Sequence, residues 1–183
     1  MSNILVISTS LRAKSNSDIL TERLIAGAKD AGHEVEHISL KGKDLKFCIG
    51  CLACQKTQKC VLKDDAVWIA EKVKNADTLV FTTPIYYYEM SGQMKTLLDR
   101  MNPLYPSDYK FRRVYMLSVA TEDEEYVPEK AVSGLQGWVD CFETWIPGTH
   151  NYGIRYFPAS GVASNGVTPR SRYICSCFFR TSP

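Results

Sequence analysis

Four of the seven cysteines fall within thirteen residues, as Cys48-x2-Cys51-x2-Cys54-x5-Cys60. Thiolates this close together can converge on one centre, which suggests metal or redox chemistry rather than a disulfide framework. The tight triplet spacing with a fourth cysteine nearby suits a [4Fe-4S] cluster. Two other readings fit the same pattern. One is an all-thiolate zinc site, although zinc more often uses two separated knuckles. The other is a set of bare thiols in an ordinary loop, since a free buried cysteine behaves as a small hydrophobe. Cys141, Cys175 and Cys177 stand apart and read as core or tail residues.

Two further segments have the residue types to hold a ligand. The stretch STSLRAKSNS, residues 8–17, brings Ser10, Ser15, Asn16 and Ser17 together with Arg12 and Lys14. Hydroxyls, backbone donors and the positive end of a following helix together form a cradle for phosphate. The stretch has no glycine, so it is neither a P-loop nor a dinucleotide fingerprint, and a single phosphate monoester fits it better than a pyrophosphate. Plain N-capping by Ser15 or Asn16 is the alternative. The second stretch, TTPIYYYEMSGQMKTLLDR, sets Pro84, Ile85, Tyr86, Tyr87 and Tyr88 before a Ser91-Gly92 turn. At a strand end, such residues can wall a planar ring while backbone amides bond its heteroatoms. A tyrosine triplet can equally form an interface patch. His33, His37 and His150 make no ligand set or catalytic triad.

These segments need a scaffold, and hydrophobic periodicity supplies one. Asn3 to Ser8, Thr78 to Thr82 and Val114 to Ala120 are short continuous apolar runs, as in strands buried on both faces; His33 to Leu40 alternates like an edge strand. Pro84 is expected to stop the 78–82 strand. Helical spacing predicts helices from about Asn16 to Ala31, after Asp64-Asp65, after Ser91, and from Pro128 to about Phe142. A weak fifth strand is expected near Thr149 to Tyr156. Strands alternating with helices make an α/β fold, a doubly wound parallel sheet whose ligands sit beyond the carboxyl ends of the strands. The loops at 8–17, 83–92 and 121–126 are therefore the ones that matter.

STSLRAKSNS and PIYYYEMSGQMKTLLDR together resemble the flavodoxin-like, NAD(P)H-dependent FMN reductase family, and FCIGCLACQKTQKCVLKDD resembles its iron-sulfur flavoprotein branch. The resemblance covers roughly residues 3 to 143. It implies a strand order of 2-1-3-4-5, FMN as cofactor, NAD(P)H as donor and a [4Fe-4S] cluster on Cys48, Cys51, Cys54 and Cys60. Ser10, Arg12, Ser15, Asn16 and Ser17 would hold the FMN phosphate. Pro84, Ile85, Tyr86 and Tyr87 would contact ribityl and ring, Tyr88 more loosely, with Thr121 in the third loop. Lys95, Asp99 and Arg100 would serve packing and subunit contacts. The chain departs from the family pattern at Thr9 and Leu11, where glycine and proline are usual, and at Thr121 to Glu125, where four carboxylates replace a small loop.

The implied activity is an FMN-dependent oxidoreductase passing electrons from NAD(P)H to a small-molecule acceptor such as a quinone or flavin. The alternative is an FMN and iron-sulfur electron-transfer protein without small-molecule turnover. Composition agrees with such a domain: 183 residues, 45% hydrophobic, 23% charged and a formal charge of +2, too small to make nucleic acid or an anionic membrane the default partner. With no run long enough to span a bilayer and no leader pattern, the expectation is a cytoplasmic homodimer or homotetramer. Residues 1–156 read as the flavodoxin-like domain and 157–183 as an atypical tail. From 144 onward the chain has four Arg and no Lys, Asp or Glu. That composition reads either as a Pro-rich loop with a closing strand or as a divergent C-terminus.

Overall fold

The computed structural model describes residues 1–122, 124–143 and the backbone of 155–158. Among the described residues there are six strands and five α-helices, in the order β1 (Asn3–Ser8), α1 (Asn16–Asp30), β2 (Glu34–Ser39), α2 (Ala53–Thr57), α3 (Asp65–Asn75), β3 (Thr78–Tyr86), β4 (Glu89–Met90), α4 (Gly92–Asp99), β5 (Arg113–Val119), α5 (Glu129–Glu143) and β6 (Arg155–Pro158). The main sheet is parallel and ordered β2-β1-β3-β5-β6. This is the expected doubly wound order once the two-residue β4, which pairs antiparallel with β3, is set aside.

The strands form where the apolar runs predict, because each is covered on both faces. Along β1, Ile4 and Val6 pack with Leu20, Leu24 and Ala28 of α1, whereas Leu5 and Ile7 face the other way into a core with α3, α4 and α5. That larger core holds Ile69 and Val73 of α3, Met94 and Leu97 of α4, and Leu135 and Val139 of α5. Burying each such side chain stabilises the fold by about 1.5–3 kcal/mol before entropy is counted.

Local chemistry sets the helix ends. α1 starts with a capping box in which the Ser15 side chain accepts from the Asp18 N–H and the Asp18 carboxylate accepts from the Ser15 N–H. It stops in a Schellman arrangement: His33 N–H donates to Ala28 O, Gly32 N–H donates to Lys29 O, and Gly32 takes φ +81°.

Two expectations are corrected. β3 does not stop at Pro84: it pairs with β5 through Pro84 and then with β4 through Ile85 and Tyr86. The neighbour on its other side, β1, has ended at Ser8 opposite Thr82, so β3 is an edge there and proline's missing donor is tolerated. The last strand is Arg155–Pro158, paired with β5; residues 149–154 of the expected strand, and the tail after Pro158, lie outside the described residues.

Candidate functional site

Register brings the three loops to one edge of the sheet. Ser8 at the end of β1 lies opposite Thr82, and Pro84 lies opposite Val119 at the end of β5. The loop before α1, the β3–β4 turn and the segment from Thr121 therefore share the carboxyl edge.

Buried hydroxyls form the floor. Thr9, fully buried, donates its N–H to Thr82 O and shares a 2.9 Å hydrogen bond between its Oγ1 and Ser91 Oγ. Thr83 Oγ1 accepts from the Ser91 N–H and donates to Ser91 Oγ, while Ser91 Oγ also caps α4 by accepting from the Met94 N–H. Behind them Thr21 Oγ1 donates to Ser17 O and meets Thr82 Oγ1 at 2.8 Å. Thr9, one of the departures from the family pattern, thus ties the loop before α1 to the start of α4.

Above this floor, Ser10, Ser15 and Ser17 are buried at the N-terminus of α1, Asn16 is half-buried, and Arg12 is exposed. Ser15 is engaged in the capping box, the alternative role that the sequence offers for this loop. The first-turn amides of Asn16 and Ser17 have no intrahelical partner, as at any helix start. Arg12 makes no hydrogen bond or ion pair among the described residues. A positive helix end, clustered hydroxyls and an unpaired guanidinium suit a phosphate monoester.

The aromatic wall sits on a strained turn. Tyr87 and Tyr88 are the two central residues of the β3–β4 hairpin and both have positive φ, +52° and +67°, the geometry of a type I′ turn that usually carries Asn-Gly. Tyr87 is 98% exposed and Tyr86 56%. Tyr88 instead stacks on Tyr126, with centroids 6.0 Å apart and planes 17° from parallel, and Lys130 Nζ lies over the Tyr88 ring, 5.8 Å from its centroid. The Glu122 carboxylate beside the Tyr88 phenol pushes its pKa up. Tyr88 therefore joins the second loop to the third, and Thr121 is exposed next to that junction. The sequence reading missed Tyr126, whose only signal was an aromatic beside an acidic run.

Cys48, Cys51, Cys54 and Cys60 line a single cleft, rimmed by Ile49, Leu52, Val61 and Leu62. All four are free thiols. The loop winds back on itself through positive φ at Gly50 and Leu52, and Cys54 sits in the one-turn helix α2. Burial pushes the Cys54 thiol up, with the Cys60, Cys48 and Cys51 sulfurs adding to the shift. Arg100 Nη2 donates to Cys60 Sγ at 3.3 Å, and Asn102 Nδ2 approaches Cys48 Sγ at 3.8 Å. Among the described residues no three His, Cys, Asp or Glu side chains close on a single ion. Four thiols around one cleft, two of them met by N–H donors, fit a polynuclear cluster whose sulfurs accept hydrogen bonds better than they fit a one-ion cage.

The residues holding this segment are ones the sequence reading gave other work. Arg100 is 2% exposed, and its fork grips Asp64, whose side chain is fully buried. Subunit contact is therefore not the role of its side chain. Lys95 and Asp99 pair with each other on the surface of α4. Asp64 stands at the N-cap of α3 without capping it, its carboxylate being turned to Arg100 and to the Lys46 N–H. Burial pushes the Asp64 carboxyl up, but the hydrogen bonds from Arg100 and Lys46 outweigh it and hold the group below the usual carboxylate range.

Comparison with known proteins places this arrangement. The profile of the NADPH-dependent FMN reductase family matches residues 2–155. An iron-sulfur flavoprotein of Methanocaldococcus jannaschii is 38% identical over 101 residues, 55% of this chain and 52% of that protein. One of Methanosarcina thermophila is 24% identical over 174 residues, 92% of this chain and 91% of its own length. The chain spans about half the length of the curated relatives it matches at higher identity. Among solved structures, an NAD(P)H:quinone oxidoreductase from Methanothermobacter marburgensis superimposes with a TM-score of 0.67 at 18% identity, covering 98% of this chain and 92% of that one, which shows a shared fold.

Proposed function

The chain belongs to the NADPH-dependent FMN reductase family, in the branch whose relatives are named iron-sulfur flavoproteins, and from that premise we propose that it is an FMN-dependent oxidoreductase moving electrons from NAD(P)H to a small-molecule acceptor such as a quinone or flavin. The carrying observation is the convergence, at one sheet edge, of the hydroxyl-rich start of α1 with the tyrosine hairpin after β3. FMN, when bound, accepts a hydride and can release its electrons singly or in pairs. The protein's part is to bind and shield. Arg12 and the start of α1 offset the phosphate charge, with Ser10, Asn16 and Ser17 as its polar partners. Pro84, Ile85 and Tyr86 border the ring, Tyr87 covers it from solvent, and Tyr88 holds the loop with Thr121 in place.

In the same reading Cys48, Cys51, Cys54 and Cys60 hold one [4Fe-4S] cluster, supported by their shared cleft. That cleft also supports a second reading, an electron-transfer protein that exchanges single electrons and turns over no small molecule. The exposed Tyr86 and Tyr87 favour self-association as a homodimer or homotetramer, which sedimentation of flavin-loaded protein at micromolar concentration would test by revealing or failing to reveal a species above monomer. Among the described residues no helix is long and apolar enough to cross a membrane.

The deciding experiment is a visible spectrum of anaerobically purified protein, followed by NADH or NADPH and then a quinone. Flavin bands that bleach and recover with steady consumption of the nucleotide support the reductase. Flavin that neither nucleotide reduces favours the electron-transfer reading, and protein that binds no flavin sinks both.

A further inference from the structure

Arg100 closes α4, the helix that Ser91 opens at the flavin-side loops, and its guanidinium lies inside the protein with four hydrogen bonds of unequal kind. Nη1 donates to Lys46 O at 2.7 Å and to Asp64 Oδ2; Nη2 donates to Asp64 Oδ1 at 2.8 Å and to Cys60 Sγ at 3.3 Å. Lys46 and Asp64 are the two ends of the loop that carries the cysteines. They are tied to each other as well, by the Lys46 N–H to Asp64 Oδ2 at 2.8 Å and by Lys46 Nζ to Lys63 O at 3.2 Å.

Balancing one carboxylate would require only a two-pronged pair. Here each terminal nitrogen makes an additional bond, one to the loop's entrance and one to a sulfur. Nε is left buried without a partner among the described residues, a cost that native structures rarely carry. The orientation of the group is thus set by the loop ends and Cys60 at the expense of its own third nitrogen. A lysine, with a single point of charge, cannot span these three partners.

We propose that Arg100 is the positioning residue of the cysteine site: it clasps the two ends of the 46–64 loop and holds the Cys60 sulfur, with a cation beside it, in the cleft shared with Cys48, Cys51 and Cys54. The proposal rests on reading the four cysteines as one iron-sulfur ligand set. It also gives α4 a second use, as a strut whose N-cap, Ser91, is set in the flavin-side floor and whose C-cap, Arg100, orders the thiols.

The test uses full-length R100K and R100Q handled anaerobically. In reduced, metal-free protein, alkylation of Cys60 by iodoacetamide is followed by mass spectrometry relative to Cys48 in the same chain. Protein reconstituted with ferrous iron and sulfide is then challenged with a chelator, and its reduction potential is titrated. In R100K, Cys60 should gain reactivity relative to Cys48 several-fold, and iron should be lost roughly 10- to 100-fold faster, with FMN affinity as in the parent. In R100Q the potential should also move negative, since the cation and a sulfur donor are gone. A folded R100K with parental alkylation ratio and iron retention overturns the proposal. So does global unfolding of both variants, which would mark Arg100 as general core support. Parent protein that takes up no iron, while the alkylation ratio still changes in R100K, sinks the cluster reading and leaves the hold on Cys60 standing.

Discussion

The loops proposed to hold flavin and the cysteine segment leave the same edge of the sheet, yet they are held in different ways. Residues 9–17 and 83–91 grow directly out of β1 and β3, and their buried hydroxyls bond to one another across adjacent strands. Any chain that builds this sheet builds most of that floor. The cysteine segment follows edge strand β2, contains no strand of its own, and leaves Phe47, Ile49, Leu52 and Val61 largely exposed. One buried ion pair and a few backbone bonds hold it. The first region has many weak, redundant supports, whereas the second has few strong ones, so single substitutions should act on them unequally.

The largest effect should come from Asp64→Ala. Removing the carboxylate strands the Arg100 guanidinium in a buried site, which costs about 3–5 kcal/mol. Urea unfolding of cofactor-free protein measures it; a loss under about 1 kcal/mol would put the clasp on a par with an exposed pair and erase the contrast. The same group sets a pH dependence. Its folded pKa lies below the unfolded value of about 3.9, so the unfolded chain takes up the proton first as pH falls. The stabilisation is complete above that value and disappears as pH drops through the folded pKa. Asp64→Asn should lack this acid-side decline, and matching urea midpoints for variant and parent as pH is lowered from 5 to about 3 would refute it.

Next in size is the phosphate. FMN should bind at least about tenfold more tightly than riboflavin, a difference of about 1.4 kcal/mol, because only FMN has the charge that Arg12 and the start of α1 offset. Equal affinities by fluorescence titration would remove the phosphate from this loop. Thr83→Val tests redundancy: it takes away the acceptor of the Ser91 N–H but leaves Ser91 Oγ its bond to Thr9, so the expected cost is about 1 kcal/mol, read as a lowered Tm. A cost as large as that of Asp64→Ala would mean the floor is no more redundant than the clasp. Smallest is Tyr86→Ala, which should leave the Tm near the parent's, since the ring is more than half exposed, and weaken FMN binding only several-fold. Unchanged flavin affinity would move the aromatic wall elsewhere.

Sequence patterns and structure agree where the pattern is local. The helix starts at Ser15 and Ser91, the stop at Gly32 and the buried strands follow from capping residues and apolar runs, because each signal lies within a few residues of its effect. Pro84 misled because the residue that excuses it, the end of β1 opposite Thr82, is distant in the chain. Arg100, expected in packing and subunit contacts, is buried, but its hold on the cysteine loop was not legible because those partners lie 36 and 54 positions away. The cysteine spacing is legible as a candidate ligand set, but the donors that meet two of its sulfurs are not.

The hairpin at Tyr87 and Tyr88 bears on how this protein could be engineered. Two bulky residues in left-handed conformations each cost about 1–2 kcal/mol that Asn-Gly would recover. A library selected for heat resistance alone would drift toward Asn and Gly at these two positions and discard the rings with the strain. Consensus-style stabilisation should therefore spare residues 86–88, even though they are among the easiest places in the chain to gain stability.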